Sequence, residues 1–296
     1  MEVQKWIIPS QASKEEGVTT RGNGMITSPK RIAKKVLLGT VLGDSSLSVH
    51  STLMNAPTKS MLTLIHGEDQ FEYLLWKMHL LYPLVGDFHI KKSIHKVTGK
   101  MIIHAVTTYQ RYLWHIWNDC YKFEESNNQK GYRYTKVVRM NVLRRLSPIS
   151  FAMWYQDDGS LYVSKGRFKG IRLATYGFSL DENILIHNHL LDGWGIDSAV
   201  DIRSDGYPQI RLRKHDSERF LEMISPFVHS SMTYKTIPFF QSARHVKTHD
   251  EIVCSLQQCG ELIRNNQSNT KSKYQIDWSK LVKGPITEDM MRLCVV

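Results

Sequence analysis

Two apolar segments recur in matched surroundings along the chain, and each ends on an acid. The first contains Leu-Leu-Gly-Thr-Val-Leu-Gly-Asp at residues 37–44, and the second contains Phe-Ala-Met-Trp-Tyr-Gln-Asp-Asp-Gly at residues 151–159. Ser28-Pro29 and Ser147-Pro148 precede them, which places a side-chain acceptor at the N-cap and a proline at the first helical position. The pattern predicts helices over residues 30–43 and 149–157 that begin and end alike.

The elements behind the two acids also repeat in order, with strands predicted by alternation and helices by amphipathic periodicity. After Asp44 we expect strands 46–50 and 59–66, helix 68–81, hairpin 89–97 with 101–108, and helix 110–123. After Asp158 we expect strands 160–164 and 170–176, helix 180–191, hairpin 199–203 with 209–213, and helix 216–227. The chain is therefore predicted to be α+β, with two pseudo-symmetric αββαββα halves. Their antiparallel saddle-shaped sheets pack through the two motif helices.

Small residues on the two motif helices indicate that the helices pack closely. Gly39 and Gly43 leave a bare stripe on the first helix, and Ala152 offers a smaller one on the second. Such packing brings Asp44 and Asp158 side by side at two helix C-termini, where the helix dipole disfavours negative charge and calls for a nearby cation. Two adjacent carboxylates form a hard-oxygen site suited to Mg²⁺.

The individual motif features also have simpler explanations. Residues 157–159, taken alone, are more typical of a helix-ending turn with a glycine cap. Gly39 and Gly43 alone are typical packing residues. The repetition of the flanking elements favours a site over these alternatives.

Alternation within the strands predicts a polar face on each sheet. Gln209, Arg211 and Arg213 share one face, and Ile210 and Leu212 share the other, as a period of two requires. A solvated side of an antiparallel sheet is the commoner situation. The residue types on these faces nevertheless suit base edges and phosphates, which favours a nucleic-acid surface.

Charge strengthens the case for a polyanionic partner. The chain has 39 Lys and Arg residues against 28 Asp and Glu, a net charge of +11 and a pI near 9.4. Its 296 residues and 42% hydrophobic content suffice for two cored halves. The cysteines form no CxxC pair or disulfide framework, so we expect reduced thiols and no zinc. They are Cys120, Cys254, Cys259 and Cys294.

The predicted organisation has five parts: an N-terminal arm 1–27, a first half 28–123, a linker 124–146 carrying Lys136, a second half 147–238, and a tail 239–296 without an assigned role. The N-terminus lacks a secretory signal and no stretch is long and apolar enough to span a membrane, which favours a soluble intracellular protein. Bacterial cytoplasm, phage-infected cytoplasm and an organelle remain open as compartments.

The paired motifs resemble those of LAGLIDADG homing endonucleases, in particular single-chain members that carry two copies, over residues 28–238. The resemblance implies that the eighth motif position supplies a metal-binding acid, here Asp44 and Asp158, and that the carbonyls of Gly43 and Asp157 help to hold metal. It also implies a basic residue near the scissile phosphates at the end of each half. Lys136, after Tyr134-Thr135, and Lys235, after Thr233-Tyr234, occupy those places, although either could be an ordinary surface lysine.

Two positions depart from the family pattern. Ser45 replaces the usual glycine after the first motif, which is expected to alter the helix exit. Met153 replaces a small residue in the second motif, which is expected to spread the helix interface slightly. Neither change removes a predicted metal ligand.

The function implied by the resemblance is a site-specific, Mg²⁺-dependent DNA endonuclease, with Mn²⁺ as a substitute. It would act as a monomer on a long asymmetric duplex site, and an intron or mobile element is its implied source. A splicing maturase that binds intron RNA and a non-catalytic DNA-binding regulator are the alternatives on this scaffold, and the presence of both acids favours the nuclease. The predicted DNA contacts are Ser46, Ser48, His50, Lys59, Lys92, Lys96, His104, Ser160, Tyr162, Ser164, Lys165, Arg172, Asp201, Arg203, Gln209, Arg211 and Arg213.

Overall fold

The first half of the protein follows the predicted order of elements. A computed structural model of the chain describes residues 28–49, 58–95, 98–125, 132–165 and 167–236. The first half comprises α1 (Pro29–Leu42), β1 (Ser46–Val49), β2 (Ser60–Gly67), α2 (Phe71–Val85), β3 (His89–Ile94), β4 (Met101–Val106) and α3 (Arg111–Cys120). A 3₁₀ helix, Glu68–Gln70, leads into α2.

The second half repeats this order after a short connection. The connection contains β5 (Tyr121–Glu125), β6 (Tyr132–Lys136) and α4 (Met140–Leu143). The second half comprises α5 (Pro148–Asp158), β7 (Gly159–Ser164), β8 (Arg167–Leu173), α6 (Leu180–Trp194), β9 (Ala199–Ile202), β10 (Pro208–Arg213) and α7 (Lys214–Ile224). Two 3₁₀ helices, Ser225–Phe227 and Ser230–Lys235, follow α7.

The two four-stranded sheets have the same topology. Their strand orders are β1-β2-β4-β3 and β7-β8-β10-β9, with antiparallel pairing throughout. Helices cover one face of each sheet, where alternate strand residues such as Leu62, Leu64, Ile171 and Leu173 are fully buried. The predicted α+β class with two repeated halves is confirmed.

The motif helices α1 and α5 pack against each other at the centre of the molecule, as the glycine stripe predicts. A Cβ atom on Gly39 would overlap the carbonyl oxygen of Ser150, and one on Gly43 would lie 2.5 Å from the Asp157 carboxylate. Met153 of α5 is fully buried. The close approach of the two helices therefore depends on the absence of side chains at Gly39 of α1 and at Gly43, which follows it.

The starts of the motif helices differ from the prediction in one respect. Pro29 and Pro148 occupy the first turns, but neither Ser28 nor Ser147 caps its helix through the side chain. The Ser147 hydroxyl instead lies 3.2 Å from the Ser150 hydroxyl, which donates a 2.8 Å hydrogen bond to the carbonyl of Lys35 on α1. The predicted side-chain caps are thus wrong; on α5 the serine hydroxyls take part in the interface between the helices.

The connection between the halves is more ordered than a linker. The predicted third helix ends at Cys120 rather than Phe123, and residues 121–125 pair with residues 132–136 as a hairpin, β5–β6. Tyr121 and Phe123 alternate with charged residues, which suits a strand, and the Tyr121 ring stacks on Trp117 at 6.0 Å between centroids. Lys136 is consequently the last residue of a paired strand.

Several predicted features lie outside the described residues. These are the N-terminal arm 1–27, His50, Lys96, residues 126–131 of the linker, and the tail 239–296. Within the described parts of the chain, no helix is both long and apolar enough to cross a membrane.

Candidate active site

The two motif acids lie where α1 and α5 end against each other. Asp158 is the last residue of α5, whereas Asp44 lies two residues beyond the end of α1. The Asp44 amide donates a 3.3 Å hydrogen bond to the side chain of Asp157, which joins the two helix ends directly. The packing of the helices thus brings both acids to one place.

The electrostatics of this place are unfavourable for carboxylates. Burial raises the pKa of the Asp158 carboxyl to about 7, and the negative charges of Asp44 and Asp157 add to the rise. Loss of solvent also raises the pKa of Asp44, assisted by the charge of Asp157, although Asp44 remains exposed as a residue. Helix C-termini are themselves partly negative, so the two acids meet additional repulsion there. The site therefore has the electrostatic character of a cation-binding centre.

The cations expected near the helix ends are lysines, one beside each motif acid: Lys136 at the end of β6 and Lys235 at the end of a 3₁₀ helix. The Lys136 ammonium donates to the carbonyls of Gly43 at 2.8 Å and Ser45 at 2.9 Å. The Lys235 ammonium donates to the carbonyls of Gln156 at 2.6 Å and Asp157 at 2.9 Å. Burial lowers the pKa of both lysines, while the neighbouring carboxylates oppose the fall. Each lysine thus binds the backbone that carries one motif acid.

Ser45 also stabilises the backbone at the end of α1. Its hydroxyl donates a 2.6 Å hydrogen bond to the Thr40 carbonyl, and its amide donates to the same carbonyl at 3.3 Å. The serine side chain therefore closes the end of α1 by a hydrogen bond to the helix backbone. A glycine at this position would have no hydroxyl to donate this hydrogen bond to the Thr40 carbonyl.

A buried ion pair that the sequence reasoning missed lies directly beneath the acids. The Lys77 ammonium is 2.9 Å from both carboxylate oxygens of Asp157, and both side chains have no exposed surface. Tyr73 donates its hydroxyl to the same carboxylate at 3.0 Å. In the sequence, the only indication of this ion pair is a single lysine in the otherwise apolar middle of α2.

A third group near this pair is His66, whose Nε2 lies 3.3 Å from the Lys77 ammonium. Burial and the Lys77 charge lower the pKa of His66 to about 4, so the ring is neutral near pH 7. Asp44, His66 and Asp157 could in principle hold a metal, since one donor atom of each lies within 4.8 Å of the others. However, Lys77 already neutralises Asp157, which makes this trio a poor cation site.

The oxygen donors around Asp44 and Asp158 suit a divalent ion better. Carboxylate and carbonyl oxygens are the ligands that Mg²⁺ prefers. The Gly43 and Asp157 carbonyls each accept a lysine, but a carbonyl oxygen has two lone pairs and can accept a second partner. The predicted ligand set stays a prediction, and its oxygens are of the type that a hard divalent ion binds.

The second-half sheet presents a polar face opposite its helices. Ser160, Arg172 and Arg211 oppose one another across β7, β8 and β10, and Arg213 opposes Gly170 in the next row. The Arg172 guanidinium lies over the Tyr162 ring at 3.9 Å from its centroid. These residues share a face as predicted.

Other residues of this sheet that were predicted to contact DNA form ion pairs or turns within the protein. Asp201 lies opposite Gln209 and forms a two-armed ion pair with Arg211. Arg203 forms a similar pair with Asp205. Ser164 ends β7, and Lys165 follows it in a turn with a positive φ of 50°.

The first-half sheet differs from the prediction at one lysine. Lys91, rather than Lys92, opposes His104, whereas Lys92 opposes the buried Ile103. Lys92 therefore projects toward the helix-covered side at the edge of the sheet, because successive strand residues alternate between faces. His104 itself contacts the Ser93 hydroxyl at 2.8 Å. Ser46, Ser48 and Lys59 are exposed.

Comparisons with known proteins find relatives of both the sequence and the fold. The sequence profile of the LAGLIDADG DNA endonuclease family matches residues 34–220. Protein RecA of Mycolicibacterium chitae is 26% identical over 229 residues, which cover 73% of this chain and 50% of that protein. The chain thus spans about half the length of the RecA relatives it first matches.

Two further relatives are nucleases by name. DNA endonuclease I-ChuI of Chlamydomonas applanata is 25% identical over 215 residues, covering 68% of this chain and 93% of that protein. The structure of the homing endonuclease I-WcaI bound to its DNA recognition sequence has a TM-score of 0.55 and 18% identity, covering 71% of this chain and 87% of that one. The matched profile includes both motif acids and Lys136, whereas Lys235 lies beyond it.

Proposed function

The chain belongs to the LAGLIDADG DNA endonuclease family, and from this premise we propose that it cuts both strands of duplex DNA by divalent-metal-dependent hydrolysis. The observation that carries the proposal is the pairing of Asp44 and Asp158 at adjoining helix ends, each accompanied by a lysine bound to the same backbone. Because both acids belong to one chain, a monomer suffices. The DNA endonuclease I-ChuI, similar over most of its length, supports the same activity.

The residues present fit a hard divalent cation, with Mg²⁺ as the proposed ion and Mn²⁺ as a substitute. The pKa of Asp158 near 7 reflects negative charge confined where water is scarce. A cation relieves that repulsion and so favours the ionised form of both acids. When bound, such an ion lowers the pKa of water and stabilises the oxygen that leaves the phosphate.

The chain's own groups do the remaining work. Asp44 and Asp158 bring the anionic oxygens to the interface of the halves, one for each strand. Lys136 and Lys235 fix the backbone around them, and each ammonium has a third donor beyond its two carbonyl bonds. That donor can stabilise charge that develops on a phosphate during in-line attack by water.

The two sheet faces supply the proposed DNA-binding surface. The net charge of +11 favours a polyanion, and rows of Ser160, Arg172 and Arg211 resemble the hydrogen-bonding surfaces that read base edges. The first-half face carries Lys91 and His104 in the corresponding place, with half-buried apolar neighbours. Since the two faces differ, the target is proposed to be long and asymmetric.

The test is cleavage of a randomised duplex library in Mg²⁺, compared with the same library in EDTA. We expect the wild type to cut a small set of related, non-palindromic sequences in Mg²⁺ and none in EDTA. Asp44→Asn and Asp158→Asn should bind the selected duplex without cutting both strands. Cleavage by either variant at the wild-type rate, or wild-type binding to RNA in preference to every duplex, would refute the proposal.

A further inference from the structure

The two motif acids are held in different ways, although they occupy equivalent places. Asp158 belongs to α5 and is oriented by its own helix. Asp44 lies beyond α1, where the amides of Gly43 and Ser45 bond back to carbonyls of the helix at 3.1 and 3.3 Å. The Asp44 amide between them donates instead to the Asp157 carboxylate of the other half. The backbone at Asp44 is therefore anchored across the interface.

The Asp157 carboxylate is itself held by two side chains. Lys77 holds both oxygens of Asp157, and Tyr73 donates to one of them. The side chains of Lys77 and Asp157 are inaccessible to solvent, so water cannot replace either partner. Gly43 provides the space, since a Cβ there would lie within 2.9 Å of three Asp157 side-chain atoms. The carboxylate is thus confined to the position from which it meets the Asp44 amide.

We infer that Asp157 is a positioning residue for Asp44, held in place by Lys77 and Tyr73. The inference rests on the proposed function for its catalytic consequence, because Asp44 is there a metal-binding acid. The contact is made in one direction only. In the first motif the position that corresponds to Asp157 is Gly43, which has no side chain to make the reciprocal contact. The contact therefore has no counterpart at Asp158, although Lys77 and Tyr73 of the first half hold the neighbouring Asp157 side chain.

The test compares two double variants that both remove the buried charges. Lys77→Met with Asp157→Asn keeps an oxygen that can accept from the Asp44 amide, and Lys77→Met with Asp157→Leu removes it at similar volume. We expect the leucine variant to cut the selected duplex at least tenfold more slowly than the asparagine variant, with DNA dissociation constants within threefold. Equal cleavage rates in the two variants would overturn the inference.

A second measurement is independent of cleavage. Hydrogen exchange at the Asp44 amide should be at least tenfold faster in the leucine variant than in the asparagine variant, because only the latter keeps the acceptor. Equal exchange would show that Asp157 does not hold this backbone. If the wild type cuts no duplex, the endonuclease proposal fails, while the exchange measurement still decides the positioning role.

A mild variant covers the case in which the double variants do not fold. Tyr73→Phe removes one hydrogen bond to Asp157 and retains the ring in the core. We expect at least a threefold lower cleavage rate with an unchanged DNA dissociation constant, whereas the control Tyr112→Phe on α3 should change neither. Identical behaviour of the two phenylalanine variants would count against the inference.

Discussion

Asp158→Asn should make the protein more stable at neutral pH while abolishing its proposed activity. In the folded protein the Asp158 pKa is raised from 3.8 to about 7, mainly by burial and secondly by the charge of Asp44. A carboxyl with a raised pKa binds its proton more tightly in the folded state than in the unfolded state. Its contribution therefore lowers stability progressively as pH rises from about 4 to about 7.

The size of the effect follows from the pKa difference. A shift from 3.8 to about 7 corresponds to roughly 4 kcal/mol at pH values above the folded pKa. Because Asp44 shares the repulsion, this is an upper bound for removing Asp158 alone. Each kcal/mol shifts the melting temperature by about 2–4 °C in a domain of this size. A gain of at least 3 °C at pH 8 is the expected result for Asp158→Asn.

The assay is thermal unfolding from pH 4 to 8 in EDTA at low ionic strength, for the wild type and the variant. The advantage of Asp158→Asn should grow with pH and shrink when Mg²⁺ is added, because the ion stabilises only the wild-type site. Asp205→Asn is the matched control, since Arg203 lowers the pKa of that exposed carboxyl and its loss gives no such gain. Parallel curves for the wild type and Asp158→Asn would refute the electrostatic reasoning.

Three further predictions concern the interface, the lysines and the DNA surface. Gly39→Ala should lower the free energy of unfolding by about 1–3 kcal/mol or more, as measured by urea denaturation, because the added Cβ overlaps the Ser150 carbonyl. The control Gly177→Ala should leave the free energy of unfolding unchanged, because the space around Gly177 is open. Lys136→Met and Lys235→Met should each reduce the cleavage rate roughly 10²-fold in single-turnover assays with DNA binding nearly intact, and undiminished cleavage would remove the lysines from the mechanism. Arg172→Ala should weaken binding by about 1–3 kcal/mol and relax sequence preference in one half-site only, as measured by selection from a duplex library.

Local patterns in the sequence were enough to predict the architecture. Periodicity located the motif helices to within one or two residues. It also predicted correctly the order of strands along the chain in both halves. The connection was misjudged because polar residues 124–131 have loop-like composition, although Tyr121 and Phe123 alternate as a strand does. Lys92 was predicted to share a face with His104, whereas the observed pairing places Lys91 opposite His104 and Lys92 on the other face.

The candidate site was predictable only where the motifs repeat. Asp44 and Asp158 were paired through their equivalent positions. Lys136 and Lys235 were selected by the family resemblance, which implies a basic residue at the end of each half, and their matched Tyr/Thr contexts supported this choice. The partners of Asp157 could not be derived in this way, because Lys77 and Tyr73 lie about 80 residues away in the chain and meet it only through tertiary packing. The sequence prediction thus used the backbone carbonyl of Asp157 as a metal ligand, whereas in the structure its buried side chain serves as the anchor.

The charges of the centre suggest why metal and DNA would bind together. Three carboxylates, Asp44, Asp157 and Asp158, face three ammonium groups from Lys77, Lys136 and Lys235. Two helix C-termini add about half a negative charge each, so the ionised centre carries roughly one net negative charge. That net charge attracts a dication, and in the proposed complex the phosphates of a bound duplex add further negative charge at the same place. We therefore propose that the divalent ion binds more tightly when the duplex is bound than when it is absent.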